Sequence, residues 1–174
     1  MTVPTFRFCP RCAKPLESRE LGGATRPACA DAACGYVHWD NPTPVVAAVV
    51  EHDGHVILAR NRAWPMKFYG LITGFLEKHD PSPAIGVLRE VKEELGLDST
   101  VANFIGHYPF PRMNQLIIAY HVPASGEIVL GEELVEYKRV EPGKARFWPG
   151  GTGLALRDWL RARGHDPQEL ELPR

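Results

Sequence analysis

The side chains with the clearest capacity for chemistry in this sequence are Glu90, Glu93 and Glu94, set at i, i+3 and i+4. At about 100° per residue, a helix gathers their carboxylates into roughly a 100° arc. Like charges at this spacing repel and cost helix stability. A bound cation would relieve that cost. Mg²⁺ or Mn²⁺ suits the site, because hard ions prefer carboxylate and carbonyl oxygens and bind together with substrate phosphates. The same spacing also fits a solvated acidic face laced with Arg89 and Lys92, Arg89 reaching Glu93 at i+4. A second set is Cys9, Cys12, Cys29 and Cys34, a C-x2-C pair and a C-x4-C pair sixteen residues apart. Two close thiol pairs suit a tetrahedral Cys₄ Zn²⁺ site. Two disulfides, which a reducing compartment disfavours, and four free thiols are the other readings. His38 is a spare candidate ligand, or an ordinary surface or core histidine.

The elements around these residues are marked by their ends. Ser82 is placed to cap a helix, with Pro83 at its first position and Gly96 as its left-handed stop. Ala84, Leu88, Val91 and Leu95 fall on the side opposite the carboxylates and form its core face. Upstream, residues 45–50 form a β-prone run suited to a strand buried on both faces. Asp53-Gly54 is a hairpin signal, and residues 56–60 and 71–73 read as further strands. Gly74 is expected to open a loop that allows a close backbone approach. After the helix, strands are predicted at 101–106, 116–122 and 127–130, with 107–115 a proline-kinked loop. A helix over 153–163 is expected to start at a Thr152 cap and bury Leu156, Trp159 and Leu160. The tail after Asp166 is expected to fray.

The run Arg89-Glu90-Val91-Lys92-Glu93-Glu94-Leu95-Gly96-Leu97 matches every fixed position of REUXEEXGU, the second half of the Nudix box, and Gly74-Phe75-Leu76-Glu77 resembles the loop that opens it. The first half departs from the pattern. The family has a glutamate six residues after the glycine and seven before the arginine. Here Asp80 stands there, with eight residues before Arg89. The resemblance implies an α/β protein, a Nudix-like α-β-α sandwich with a mixed sheet. It implies a metal-dependent pyrophosphohydrolase in which Glu90, Glu93 and Glu94 hold Mg²⁺ or Mn²⁺, a Gly74 carbonyl completes the set, and Arg89 orients the glutamates. The general base is Glu93 or a loop carboxylate such as Glu136. The cysteine ribbon followed by the box is similar to NADH pyrophosphatases, which carry SQPWPFPxS downstream. In residues 107–115 Pro109 and Pro111 match, and Phe110 stands in place of tryptophan. Tyr108 and Phe110 are then expected to wall a nucleobase or ribose. The implied substrate is NADH or an ADP-ribose or ADP-sugar type compound. The alternatives are a nucleoside triphosphate, capped RNA, or a non-catalytic nucleotide-binding regulator. Similarity to dimeric members implies a homodimer.

Composition bounds these readings. Apolar residues make up 44% of 174, enough for a core, and the net charge of −1 gives no general attraction to nucleic acid or anionic membrane. Residues 1–40, counted alone, carry only +1, short of the basic footprint of a nucleic-acid reader. No apolar signal core or membrane-spanning run is present, so a cytoplasmic location is expected. Prolines 42 and 44 mark a linker, dividing a zinc ribbon at 1–40 from a catalytic domain at 41–174.

Overall fold

A computed structural model describes residues 6–170. The chain divides into two compact units, Met1–Asn41 and Pro42–Arg174. In the first, β1 (Leu16–Leu21) and β2 (Ala24–Cys29) form an antiparallel hairpin. A further bridge pairs Ala28 with Val37.

The second unit is built on β3 (Thr43–His52), whose side chains alternate between two cores. Val46, Ala48 and Val50 face one, and Val45, Ala47 and Val49 the other. That alternation is the period of two of a strand covered on both sides. A hairpin with positive φ at Asp53 and Gly54 returns the chain as β4 (His55–Asn61), the type I′ turn its Asp-Gly pair favours. β5 (Ile72–Phe75) pairs with the first half of β3. α1 (Pro83–Leu95) follows, with Ser82 accepting from the Ile85 N–H and Gly96 closing the helix at φ 70°. β6 (Asn103–Phe110), β7 (Gln115–Pro123) and β8 (Leu134–Val140) complete the sheet, and α2 spans Thr152–Arg161. The order is β6-β7-β3-β4-β8, with β5 beside β3; β3 and β7 run parallel and the other pairs antiparallel. α1 covers the face of Val46, Ile72, Val122 and Leu134. α2 covers the opposite face through Leu156, Trp159 and Leu160. The result is the expected α-β-α sandwich with a mixed sheet.

Several local expectations are corrected. Gly74 lies inside β5, opposite Val46, and not in a loop. Residues 107–110 belong to β6; the connection is a single turn at Pro111–Met113 closed by Asn114 at φ 49°. The proline run misled because β6 is an edge strand, where a residue without an N–H costs no ladder bond. Residues 127–130 are not a strand. They lie against the end of α1, where the N–H groups of Val129 and Gly131 donate to the Leu95 and Glu94 carbonyls at 2.9 Å, partners that a helix end requires. The last strand is instead β8. Thr152 does not cap α2; Gly151 holds that position with no side-chain cap. Of the tail expected to fray after Asp166, residues 167–170 are tied back, Phe147 bridging to Glu169, and the rest lies outside the described residues.

Candidate active site

α1 presents its carboxylates in an unequal way. The buried arc of the helix holds Val87, Glu90, Val91, Glu94 and Leu95. The alternative of one solvated acidic face does not describe them: of the three only Glu93 is open, its side chain 58% exposed, while Glu90 and Glu94 are buried. The space for Glu90 comes from β5, because a Cβ on Gly74 would overlap the Glu90 carboxyl. The glycine serves close approach, as expected, but from within a strand.

Arg89 ties the surroundings together. Its Nε donates to Asp80 Oδ1 at 3.2 Å and its Nη2 to Asp80 Oδ2 at 3.1 Å. The same Nη2 donates to the Phe75 carbonyl at 3.2 Å. Nη1 meets Glu93 Oε2 at 2.9 Å and Glu90 Oε1 at 2.8 Å. Asp80 also accepts from the Glu77 N–H at 2.8 Å. The Arg89 guanidinium and that N–H hold the Asp80 carboxyl below its usual range, against a smaller opposing effect of burial. The departure in the box loop thus leaves its salt bridge in place: one extra loop residue carries the shorter carboxylate to the arginine. Gly86 makes room, since a Cβ there would stand 2.9 Å from Asp80 Oδ2.

Glu94 has none of this support. No hydrogen bond or ion pair reaches it among the described residues. Burial first, then the charges of Glu90, Glu133 and Glu93, push its carboxyl up to about 8. Burial raises Glu90 too, opposed by Arg89. Glu133 approaches from the loop before β8 and is held by Asn61 Nδ2 at 3.2 Å. In the sequence Glu133 is one of an acidic cluster with Glu132 and Glu136; its link to Asn61 depends on the β4–β8 pairing, which spacing does not reveal. Glu136, the loop base expected from that cluster, is engaged elsewhere. Tyr69 and Arg60 bond it and lower its carboxyl, Arg60 at 2.9 Å with Lys67 at 3.6 Å.

The expected aromatic wall is corrected as well. Tyr108 is buried among residues packed under α2, its hydroxyl donating to Asp158 Oδ2 at 2.9 Å. Phe110 packs in the same cluster, beside Gly151. Both point to the sheet face opposite α1. Phe75, 60% exposed and next to Gly74, pairs with Val45 and so stands on that same opposite face. A cleft of about 500 Å³ lined by Glu51, Asp53, Asp98 and Ser125 lies at the far end of β3 from Gly74. It contains none of the box residues.

In the ribbon unit the sulfurs of Cys9, Cys12, Cys29 and Cys34 all lie within 4.8 Å of one another. Cys9 and Cys34 are 3.7 Å apart, Cys12 and Cys29 3.5 Å. A tetrahedron with Zn–S bonds of about 2.3 Å requires S···S of about 3.8 Å. A disulfide requires about 2.05 Å. The four thiols are free, and their geometry fits a Zn²⁺ ion.

No helix is long and apolar enough to cross a membrane among the described residues. The NUDIX domain family matches residues 41–161. A curated relative, "NAD-capped RNA hydrolase NudC" of Stutzerimonas stutzeri, is 30% identical over 138 residues, covering 79% of this chain and 48% of that protein. A protein of the same name from Mycobacterium bovis is 34% identical over 89 residues, covering 50% of this chain and 28% of its own. The chain thus spans about half or less of these relatives. A Nudix hydrolase crystal structure from Nitrosomonas europaea superposes with a TM-score of 0.76 over 96% of this chain and 97% of its own, at 20% identity. That likeness shows a shared fold.

Proposed function

The chain belongs to the Nudix domain family, and from that premise we propose that it is a divalent-metal-dependent hydrolase cleaving the pyrophosphate of a nucleoside diphosphate linked to another moiety, of the NADH or ADP-ribose and ADP-sugar type. The carrying observation is the Glu94 carboxyl, buried beside Glu90 and Glu133 with no protein donor among the described residues. Hard oxygens left without internal partners match the ligand preference of Mg²⁺ or Mn²⁺. Glu90, Glu93, Glu94 and the Gly74 carbonyl form the proposed ligand set, joined by Glu133. When bound, the ion supplies neutralisation of phosphate charge and a more acidic water. The protein's own groups do the rest. Arg89 fixes Glu90 and Glu93 relative to β5 through Asp80 and the Phe75 carbonyl. Glu93, the one helix carboxylate open to solvent, takes the proton of the attacking water. The cysteine cluster holds structural Zn²⁺, and the active species is a homodimer, checked by mass from light scattering.

A second reading keeps the same site and changes the substrate. The printed names of the relatives favour a nucleotide-capped RNA end, in which the second moiety is an RNA chain. One panel separates the cases: NADH, NAD, ADP-ribose, nucleoside triphosphates and a NAD-capped oligonucleotide, with Mg²⁺ or Mn²⁺ and Glu93→Gln as control. NADH turnover to AMP and reduced nicotinamide mononucleotide, lost in Glu93→Gln, is the expected outcome. Turnover of ADP-ribose alone discards the dinucleotide substrate. No turnover of any member, with ADP-ribose still bound, would replace the hydrolase with a regulator.

A further inference from the structure

The ribbon unit carries a surface that its net charge conceals. Two of its cations are matched to carboxylates, Lys14 to Asp31 at 2.7 Å and Arg19 to Glu17 at 3.6 Å. Arg7, Arg11 and Arg26 have no carboxylate at ion-pair distance among the described residues. Arg26 is also fixed in place. Its Nε donates to the Leu21 carbonyl at 3.2 Å and its Nη1 to the Trp39 carbonyl. Its guanidinium carbon stands 5.1 Å from the centre of the Trp39 ring. Carbonyl partners orient a guanidinium and leave its full charge in the field.

The register places these groups in a row. Arg19 pairs with Arg26 across β1 and β2. The bridge from Ala28 to Val37, with the His38 N–H donating to the Pro27 carbonyl at 2.8 Å, brings Trp39 opposite Arg26. Side chains directly across a ladder share one face. The indole at the end of this row is 49% exposed, although a large apolar ring gains by being covered. A flat exposed ring beside Arg26, a fixed cation with no carboxylate partner among the described residues, fits a base that can stack and a phosphate that can be met.

We infer that the face bearing Arg19, Arg26 and Trp39 binds a single-stranded nucleic acid, Trp39 stacking on an unpaired base and Arg26 facing the adjoining phosphate. In a duplex each base is stacked between its neighbours, which hides the flat face the indole would use. The inference deepens the second reading above and rests on it for the link to a substrate, since there the strand continues from the cleaved nucleotide.

The test uses the full chain without divalent metal, so that binding is read apart from turnover. Fluorescence anisotropy of labelled single-stranded decamers, one RNA and one DNA, is titrated with protein at several salt concentrations, beside a duplex of the same length. Trp39→Ala is expected to weaken single-strand binding about tenfold, a stacked base being lost. Trp39→Phe is expected to restore most of it, which a folding defect would not permit. Arg26→Gln is expected to lower the salt slope by about 0.7, the share of one phosphate contact on a single strand. Binding of either decamer through Trp39 supports the inference. Equal affinity for the duplex, no loss in Trp39→Ala, or failure of both decamers to bind overturns it. A protein that hydrolyses NADH yet ignores the decamers would lose this surface and keep the hydrolase; one that binds them and hydrolyses nothing would do the reverse.

Discussion

At the level of single residues, the site depends as much on missing atoms as on present ones. Gly74→Ala would drive a methyl into the Glu90 carboxyl. Overpacking of this kind costs about 1–3 kcal/mol. The expected outcome is a lower melting temperature together with loss of the stabilisation that Mg²⁺ gives, both read by thermal denaturation with and without the ion. Tyr108→Phe tests the opposite kind of position. It removes the hydroxyl that bonds Asp158 across β6 and α2, at about 1 kcal/mol. Melting temperature should fall slightly while KM stays unchanged, where a substrate wall would have raised KM. Ser82, Pro83 and Gly96 were legible from residue type and spacing, whereas spacing left Glu90, Glu93 and Glu94 equally readable as a solvated acidic face and only the likeness of residues 89–97 to the Nudix box singled them out. The burial of Glu90 and Glu94 was not legible. Helical periodicity groups residues on an arc but does not say how wide an arc the sheet will cover. Tyr108 and Phe110 were misread for a related reason: in an edge strand, alternation decides the facing, and the prolines suggested no strand at all.

Among the elements, the loop between β5 and α1 is the one whose sequence departs from its pattern and whose geometry does not. Asp80 is one methylene shorter than glutamate, and the loop one residue longer. Asp80→Glu by itself should crowd the contact beside Gly86 and lower both stability and activity. Deleting Pro81 in addition should return much of both, measured as melting temperature and kcat/KM on one substrate. Failure of the deletion to rescue would mean that loop length and side-chain length are not matched. The loop at 127–130 shows the limit of reading strands from composition. Its β-prone residues cover the last carbonyls of α1, a demand set by the helix and invisible in the loop's own sequence.

Over the whole molecule, the two units rest on different physics. The ribbon has few buried side chains and four converging thiols, so removing the proposed Zn²⁺ should unfold β1 and β2 while β3 and β7 keep their protection. Hydrogen exchange before and after a strong chelator reads both at once. The larger unit should instead respond to acid. His121 lies against Trp159, its Nε2 2.8 Å from Glu51 and its Nδ1 near Asn103 and Arg163. Burial, then Arg163, lowers its titration from 6.5, against the pull of Glu51. The native state therefore binds fewer protons than the unfolded chain below about 6.5. Stability present above that pH is lost as pH falls toward the depressed native value. A plot of melting temperature from pH 7 to pH 5 should be shallower for His121→Gln than for the wild type. The parallel pairing of β3 with β7 carries a further consequence, for synthesis. Thr43 aligns with Gln115, so a ribosome adding roughly 5–20 residues per second leaves that edge of β3 waiting several seconds for its partner. For that interval a nearly all-aliphatic strand is bare on one side, and the nascent chain is most exposed to aggregation before β7 emerges.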